Sequence, residues 1–310
     1  MSTPNTLRYL GADDVLELSP MAAVEELRQA LIEGFDPAAD AERSAMSLPG
    51  GGEMLMMPSR TQHVAGIKVL TVAPAGFELD VPRIQGMYLL FDAKTFSPSA
   101  LIDGAALTSV RTPAVSIAGI KDLIVDAALP LKTVIFGTGP QGRVHASTLQ
   151  AVLEGIREVE ISMISRTKPE GKIFGTWYEA GSTQAQQVVK EAELIMCCTT
   201  SAQPLIDAQD IGPHPIIVAV GSHTPEAREL GGKLMAEAQV IVEDHGVGLR
   251  ECGDVIQAIE EGHLKEEELL TIREVVCGEV ELDRQRPIVF KTAGQPWEDL
   301  VIASAVTKKS

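Results

Sequence analysis

The 310-residue sequence predicts an α/β protein: a doubly wound parallel sheet inserted between N- and C-terminal segments of different texture. Three observations predict it. Strand-like and helix-like stretches alternate from about residue 133 to 243, a glycine-rich turn follows the first of those strands, and residues 53–103 have a separate, strand-rich texture.

Residues 12–34 read as one amphipathic helix, because Val15, Leu16, Met21, Val24, Leu27 and Leu31 recur near helical spacing and Gly34 closes the run. The runs Met54–Met57, Val64–Val72 and Gly86–Phe91 are short, apolar and separated by Pro and Gly, as antiparallel strands would be. A helix is expected to begin after Thr112, with Pro113 in its first turn, and to reach about Leu129. Thr133–Phe136 is the next strand, and a helix starts near Gln141. Strands follow at Glu158–Ile164, within Lys190–Thr199, at Ile216–Val220 and at Val240–Glu243, with helical segments between them. The tail from Ile288 is a short apolar run and a final helix. This divides the chain into an N-terminal region, a middle region of alternating strands and helices, and a short tail. There is no internal repeat and no low-complexity linker.

Composition narrows the function classes. Apolar residues make up 45% of the chain, ample for a full core, which excludes a disordered protein. No apolar run approaches the roughly 20 residues of a membrane span, and Met1–Asn5 lacks the basic start of a secretory signal, so a cytoplasmic protein is expected. Cys197 and Cys198 are neighbours while Cys252 and Cys277 stand alone, which offers neither a disulfide framework nor a metal-binding CxxC pattern. A net charge of −17 argues against a nucleic-acid partner but allows a local basic pocket for a small anion.

The strongest motif is Gly137-Thr138-Gly139-Pro140-Gln141-Gly142, directly after the strand Thr133–Phe136. The first glycine permits the tight turn, the second lets a pyrophosphate approach the backbone, and the third lets the helix pack closely. The helix that follows offers free N–H groups and a positive dipole end to phosphate, so this is read as a Rossmann-type unit holding NAD(P). The end of the second strand distinguishes the two cofactors. An NAD site usually carries Asp or Glu there, whereas this chain reads Ser165-Arg166-Thr167-Lys168. Arg166 can pair bidentately with a 2′-phosphate and Ser165 or Thr167 can donate to it, so NADPH is expected over NADH. The loop Met196–Ser201 should line the cofactor crevice and bring Thr199 and Thr200 to it. The cysteine pair in that loop has no base nearby in sequence and is read as buried and inert.

Three cations stand among apolar or small neighbours: Arg43, Lys68 in Gly66–Leu70, and Arg111. An unpaired buried charge is costly, so each belongs either to a structural salt bridge or to a site for a substrate carboxylate.

The stretches Met57-Pro58, Gly66–Val69, Pro82–Gly86, Leu101–Gly104 and Ser109–Ala114, then Gly137–Gly142, Ser165–Thr167, Val220–Pro225, Lys291–Gly294 and Glu298–Leu300, together resemble the ornithine cyclodeaminase/mu-crystallin family over nearly the whole chain. The resemblance implies a homodimer built through the N- and C-terminal segments, which form a second, α+β domain for substrate binding and dimerisation (1–112 plus 290–310) around the NAD(P)-binding domain (113–289), and a substrate in a cleft facing the nicotinamide. It implies that Arg43, Lys68 and Arg111 bind the substrate carboxylate, and that Thr112, Val220, Gly221 and Ser222 join the cofactor site. The cyclodeaminases carry a catalytic Asp where this chain has His223, so ornithine cyclodeamination is disfavoured. The chain looks closer to the ketimine-reductase branch, which reduces a C=N bond beside a carboxylate in pyrroline-2-carboxylate or piperideine-2-carboxylate. In that reading Lys68 touches the carboxylate or donates the proton. His223 is an alternative acid or a polar loop residue, and Asp299 completes the pocket or caps the last helix. An amino-acid or opine-type dehydrogenase, and a non-catalytic NADPH-dependent binder of mu-crystallin type, are the remaining alternatives.

Overall fold

The computed structural model describes residues 7–74, 81–125 and 128–309, so the Met1–Asn5 start lies outside the described residues. The chain forms two units, one from the residues up to Val115 together with those from Gln295 on, the other from Ser116 to Gly294.

The first unit opens with β1 (Arg8–Leu10), α1 (Ala12–Leu16) and α2 (Pro20–Ile32). The helix expected over 12–34 is thus two helices. Ser19 accepts the Ala22 amide at 3.3 Å, and Pro20 takes the first helical position, so a new helix begins there. Gly34, at φ +98°, then ends α2 in a left-handed conformation.

Five strands follow: β2 (Ser44–Ser47), β3 (Glu53–Arg60), β4 (Val64–Val72), β5 (Ile84–Asp92) and β6 (Pro98–Asp103). They form one sheet in the order β1-β6-β5-β4-β3-β2, antiparallel except for β1 beside β6. Alternation sorts their side chains between the two faces. Gly66, Lys68 and Leu70 of β4 point inward with Met57, Tyr88, Leu90 and Ile102. Met56, Ile67, Val69, Met87, Leu89 and Phe91 lie half-exposed on the outer face.

α3 (Gly104–Ala118) corrects an expectation. Asp103 Oδ1 accepts the Ala106 amide at 2.8 Å and starts the helix eight residues before Thr112, leaving Pro113 in its interior. Proline there removes one backbone hydrogen bond and costs about 3 kcal/mol, an expense met by the neighbouring Ala114, Val115 and Ile117, all buried. The helix also stops short of Leu129. Among the described residues between Ala118 and Leu129 the helical element is the one-turn α4 (Lys121–Ile124), and Leu129 is 75% exposed.

The second unit then alternates. β7 (Leu131–Phe136), α5 (Pro140–Leu153), β8 (Val159–Ser165), β9 (Thr176–Glu179), α6 (Thr183–Glu191), β10 (Leu194–Cys197) and β11 (Ile216–Ala219) come first. α7 (Gly232–Glu237), β12 (Gln239–Val242), α8 (His245–Glu251), α9 (Gly253–Glu260), β13 (Leu270–Thr271), α10 (Ile272–Val276) and β14 (Ile288–Lys291) complete it. The sheet is parallel throughout, in the order β13-β12-β14-β11-β10-β7-β8-β9. β10, β11 and β14 are buried at every position, as strands covered on both faces must be. The apolar run at Ile288 is therefore an inner strand of this sheet, which carries the division of the chain on to Gly294. The chain winds from β7 to β8 on one side and resumes at β10 on the other. This makes the carboxyl edge between β7 and β10 the switch point of a Rossmann-type fold.

Finally α11 (Pro296–Lys309) returns to the first unit and packs on α2, β3, β4 and β5. Among the described residues no helix is long and apolar enough to cross a membrane.

Candidate functional site

In the second unit, the turn after β7 has the shape its glycines foretell. Gly137 sits at φ +102°, and a Cβ on it would run into the Cys198 carbonyl of the next loop. A Cβ on Gly142 would overlap the Gly137 carbonyl, so only glycine lets α5 start this close to the turn. A Cβ on Gly139 would meet none of the described residues within 4 Å, leaving the backbone open to an approaching group. Pro140 takes the first position of α5, where no N–H is needed, and the amides of Gln141 and Gly142 follow at the positive end of the dipole. The cradle therefore fits a pyrophosphate.

The loop after β8 is built partly as expected. Arg166, Thr167 and Lys168 are exposed. Ser165 is not free to donate outward: its hydroxyl donates to the Thr167 carbonyl at 2.7 Å and accepts the Trp177 indole N–H at 2.9 Å. Arg143 of α5 donates to the carbonyls of Thr138 at 2.9 Å, Glu170 at 2.7 Å and Lys172 at 2.6 Å, lashing this loop to the glycine turn.

Thr199 is half-buried and Thr200 exposed in the loop after β10. The adjoining Cys197 and Cys198 are buried, and burial pushes both thiols well above their ordinary range, as expected of inert cysteines. After β11, Val220 and Gly221 are half-buried, whereas Ser222 turns its hydroxyl inward to Asp254. His223 lies exposed in the same loop.

The first unit holds the expected cations. Lys68 projects from the inner face of β4 and is fully buried. Its Nζ lies 2.7 and 2.8 Å from the two carboxylate oxygens of Asp299 on α11, and 3.2 Å from Thr108 Oγ1 on α3. Arg111, one turn further along α3, donates from Nη1 to Glu298 Oε2 at 2.8 Å, and its Nε is 3.6 Å from Asp299 Oδ1. Burial and the Arg111 charge pull Lys68 down to about 8, against the opposing pull of Asp299. Asp299 thus serves the lysine. The helix-capping alternative belongs to Glu298, whose Oε1 accepts the Gln295 amide at 2.9 Å.

Tyr88, directly opposite Lys68 across β4 and β5, is fully buried and its hydroxyl has no hydrogen-bond partner among the described residues. A Cβ on Gly66 would overlap that hydroxyl, which explains the glycine in the middle of β4. Thr112 is buried and donates to the Thr108 carbonyl at 2.8 Å, a bond within its own helix. Arg43 lies half-exposed ahead of β2.

Sequence reading missed Glu298 and Thr108. Glu298 had a signal, being the third residue of a helix that begins at Pro296.

A glycine-turned parallel sheet in one unit and a strand-rich other unit with a buried Lys–Asp and Arg–Glu quartet define a two-domain α/β protein of Rossmann type. More particularly, residues 17–310 match the ornithine cyclodeaminase/mu-crystallin family, and the chain belongs to it. Among its relatives, a Delta(1)-pyrroline-2-carboxylate reductase of Bacillus cereus is 28% identical over 308 residues, covering 95% of this chain and 88% of the relative. Ketimine reductase mu-crystallin of Mus musculus is 28% identical over 260 residues, covering 82% and 80%. The structure of Thermococcus litoralis Delta(1)-pyrroline-2-carboxylate reductase, in complex with NADH and L-proline, shares the fold with a TM-score of 0.84 at 23% identity, covering 98% of this chain and 97% of that one.

Proposed function

We propose that this chain is an NADPH-dependent oxidoreductase that reduces small cyclic imino acids of the pyrroline-2-carboxylate and piperideine-2-carboxylate type. The observation that carries the reading is the fully buried Lys68, held by Asp299 with Arg111 and Glu298 beside it and drawn down to about 8. The names and near full-length match of its relatives support it.

When bound, the reduced nicotinamide supplies the hydride that reaches the imine carbon. Arg111, whose side chain is 9% exposed while Lys68 and Asp299 have no exposed surface, pairs with the substrate carboxylate. Arg43 is assigned to the same carboxylate by the family pattern. Lys68 gives its proton to the imine nitrogen and becomes a neutral amine, which a lysine near 8 does readily at neutral pH. Asp299 keeps the ammonium aimed while it is charged. His223 is the second candidate acid. In the other unit the glycine turn holds the pyrophosphate, and Arg166 with Thr167 reads the 2′-phosphate, which favours NADPH over NADH.

The protein is further read as a cytosolic homodimer. The outer face of the first unit's sheet presents Met56, Ile67, Val69, Met87, Leu89 and Phe91 as one apolar surface that a second copy would cover. Its cysteines are free thiols, which fits a reducing compartment.

The test is to follow oxidation of NADPH, and separately NADH, over a panel of cyclic imino acids, with an ornithine-to-proline assay alongside. NADPH loss with a cyclic imine supports the proposal. Proline and ammonia from ornithine without imine reduction replaces it with cyclodeamination, and cofactor binding without turnover on either route leaves the binding-protein reading.

A further inference from the structure

A second group of buried charges lies at the carboxyl edge of the parallel sheet, and the chemistry above does not use it. Glu229, in the loop between β11 and α7, is fully buried. Its Oε1 accepts from the Thr199 amide at 2.9 Å and the Thr199 hydroxyl at 2.7 Å, while Oε2 accepts from the Gly221 amide at 2.7 Å. One carboxylate thus ties the loop after β10 to the loop after β11.

Behind it sit two more charges. Asp254, in the first turn of α9, accepts the amides of Glu229 at 2.7 Å and Leu230 at 2.9 Å, together with the Ser222 hydroxyl. Lys291, the last residue of β14, donates to the carbonyls of Ala219 at 3.2 Å, Ser222 at 2.6 Å and Thr292 at 2.8 Å, and lies 3.7 Å from Asp254. Both side chains are fully buried. Ionised groups in such surroundings are tolerated only when their hydrogen-bonding capacity is filled, and these are.

The loops they hold approach one another backbone to backbone. A Cβ on Gly221 would overlap the Thr199 carbonyl and come within 2.6 Å of Glu229 Oε1, just as one on Gly137 would strike the Cys198 carbonyl. The turns after β7, β10 and β11 therefore form one continuous wall along the switch-point edge, where a parallel sheet of this kind takes its ligand.

We propose that Glu229 is a positioning residue for the dinucleotide: its carboxylate locks Thr199 and Gly221 into a single rigid surface beside the glycine turn, with Asp254 and Lys291 holding the Glu229 loop from behind. The inference rests on the reading that this crevice takes a dinucleotide. Glutamine cannot substitute. Both glutamate oxygens face N–H donors, so the amide nitrogen of Gln would meet either the Thr199 or the Gly221 N–H.

The experiment measures NADPH binding to the full-length protein by the fluorescence of the reduced nicotinamide, with kcat and the KM for NADPH and for the imine, in wild type, Glu229→Gln and Thr199→Val. Glu229→Gln is expected to weaken NADPH binding roughly tenfold to a hundredfold, since losing one charge-assisted bond and misplacing two loops acts on the cofactor. It should alter the nicotinamide emission spectrum and raise the cofactor KM while leaving the imine KM within about twofold. Thr199→Val removes one of the three bonds and should weaken NADPH several-fold; it decides the matter if Glu229→Gln does not fold. Wild-type affinity and emission in a folded Glu229→Gln protein, or in Thr199→Val where the first variant is unfolded, overturn the inference. A wild-type protein that binds neither NADPH nor NADH overturns the dinucleotide reading itself, which separates the two failures.

Discussion

Replacing Lys68 by methionine tests the proposed proton donor through its pH signature. With Lys68 near 8, roughly nine in ten copies of the free protein carry the ammonium at pH 7 and about one in ten at pH 9. The kcat/KM for imine reduction reports the free protein, so it should be flat below pH 7 and fall about tenfold per unit above 8. In the oxidative direction the neutral amine is the active form, and the same limb must appear inverted, rising through 8. An anionic substrate beside Lys68 favours the ammonium, so the limb in kcat should lie at higher pH than the limb in kcat/KM. Lys68→Met should lower kcat by about 10² to 10⁴ and abolish the alkaline limb. The substitution strands Asp299, at a cost of about 3–5 kcal/mol, so Lys68→Met with Asp299→Leu serves as the folded control. A Lys68→Met protein that still shows a limb near 8 refutes the assignment and moves the role to His223, whereas a wild-type limb above 10 refutes the lowered Lys68. Stability runs opposite to the reductive rate. Lys68 sheds its proton at lower pH when folded than when unfolded, so wild type should gain stability relative to the double variant as pH rises from 8 to 10.5, read from urea unfolding.

Three further outcomes follow from the geometry. Arg166→Ser should raise the KM for NADPH by about tenfold or more and leave that for NADH within twofold, because a single charge-assisted phosphate contact is removed; equal effects on both cofactors would exclude Arg166 as the 2′-phosphate reader. Gly142→Ala forces a methyl onto the Gly137 carbonyl, and calorimetric titration should show NADPH binding weakened by about a hundredfold or lost, whereas undisturbed binding would mean that the turn is not the pyrophosphate cradle. Tyr88→Phe deletes a buried hydroxyl without a partner and should stabilise the protein by about 1 kcal/mol, seen as a rise in Tm; a loss of stability would show that the hydroxyl is bonded in solution.

The parallel sheet was legible because its signals are local. The strand ending at Phe136, the glycine spacing and the helix from Pro140 lie within about twenty residues and all point to one turn. Lys68 and Arg111 stood out because charges in apolar strings need partners. Their partners were harder to read. Asp299 is 231 residues from Lys68 and Glu298 is 187 from Arg111, distances at which a single sequence carries no pairing information. Pro113 misled because a proline suits a first helical turn, and nothing in its neighbourhood announces that Asp103 has already started the helix. β9 and β13, of four and two residues, are too short for alternation to emerge. The clip formed by Glu229, Asp254 and Lys291 is likewise built from residues scattered over a loop, a helix start and a strand end, each unremarkable alone.

The placement of α11 has a consequence for how the molecule is made. The helix that covers the inner face of the first sheet is synthesised after the whole of the second unit. Until residues 296–309 leave the ribosome, Lys68 has no counter-ion and the sheet has no lid, so the first-made strands must wait for the last-made helix. The second unit, contiguous from Ser116 to Gly294, faces no such delay and is free to fold first, reversing the usual N-terminal-first order of synthesis. The nascent chain therefore carries an open, apolar sheet through most of its translation, the interval in which chaperone binding or aggregation would compete with folding.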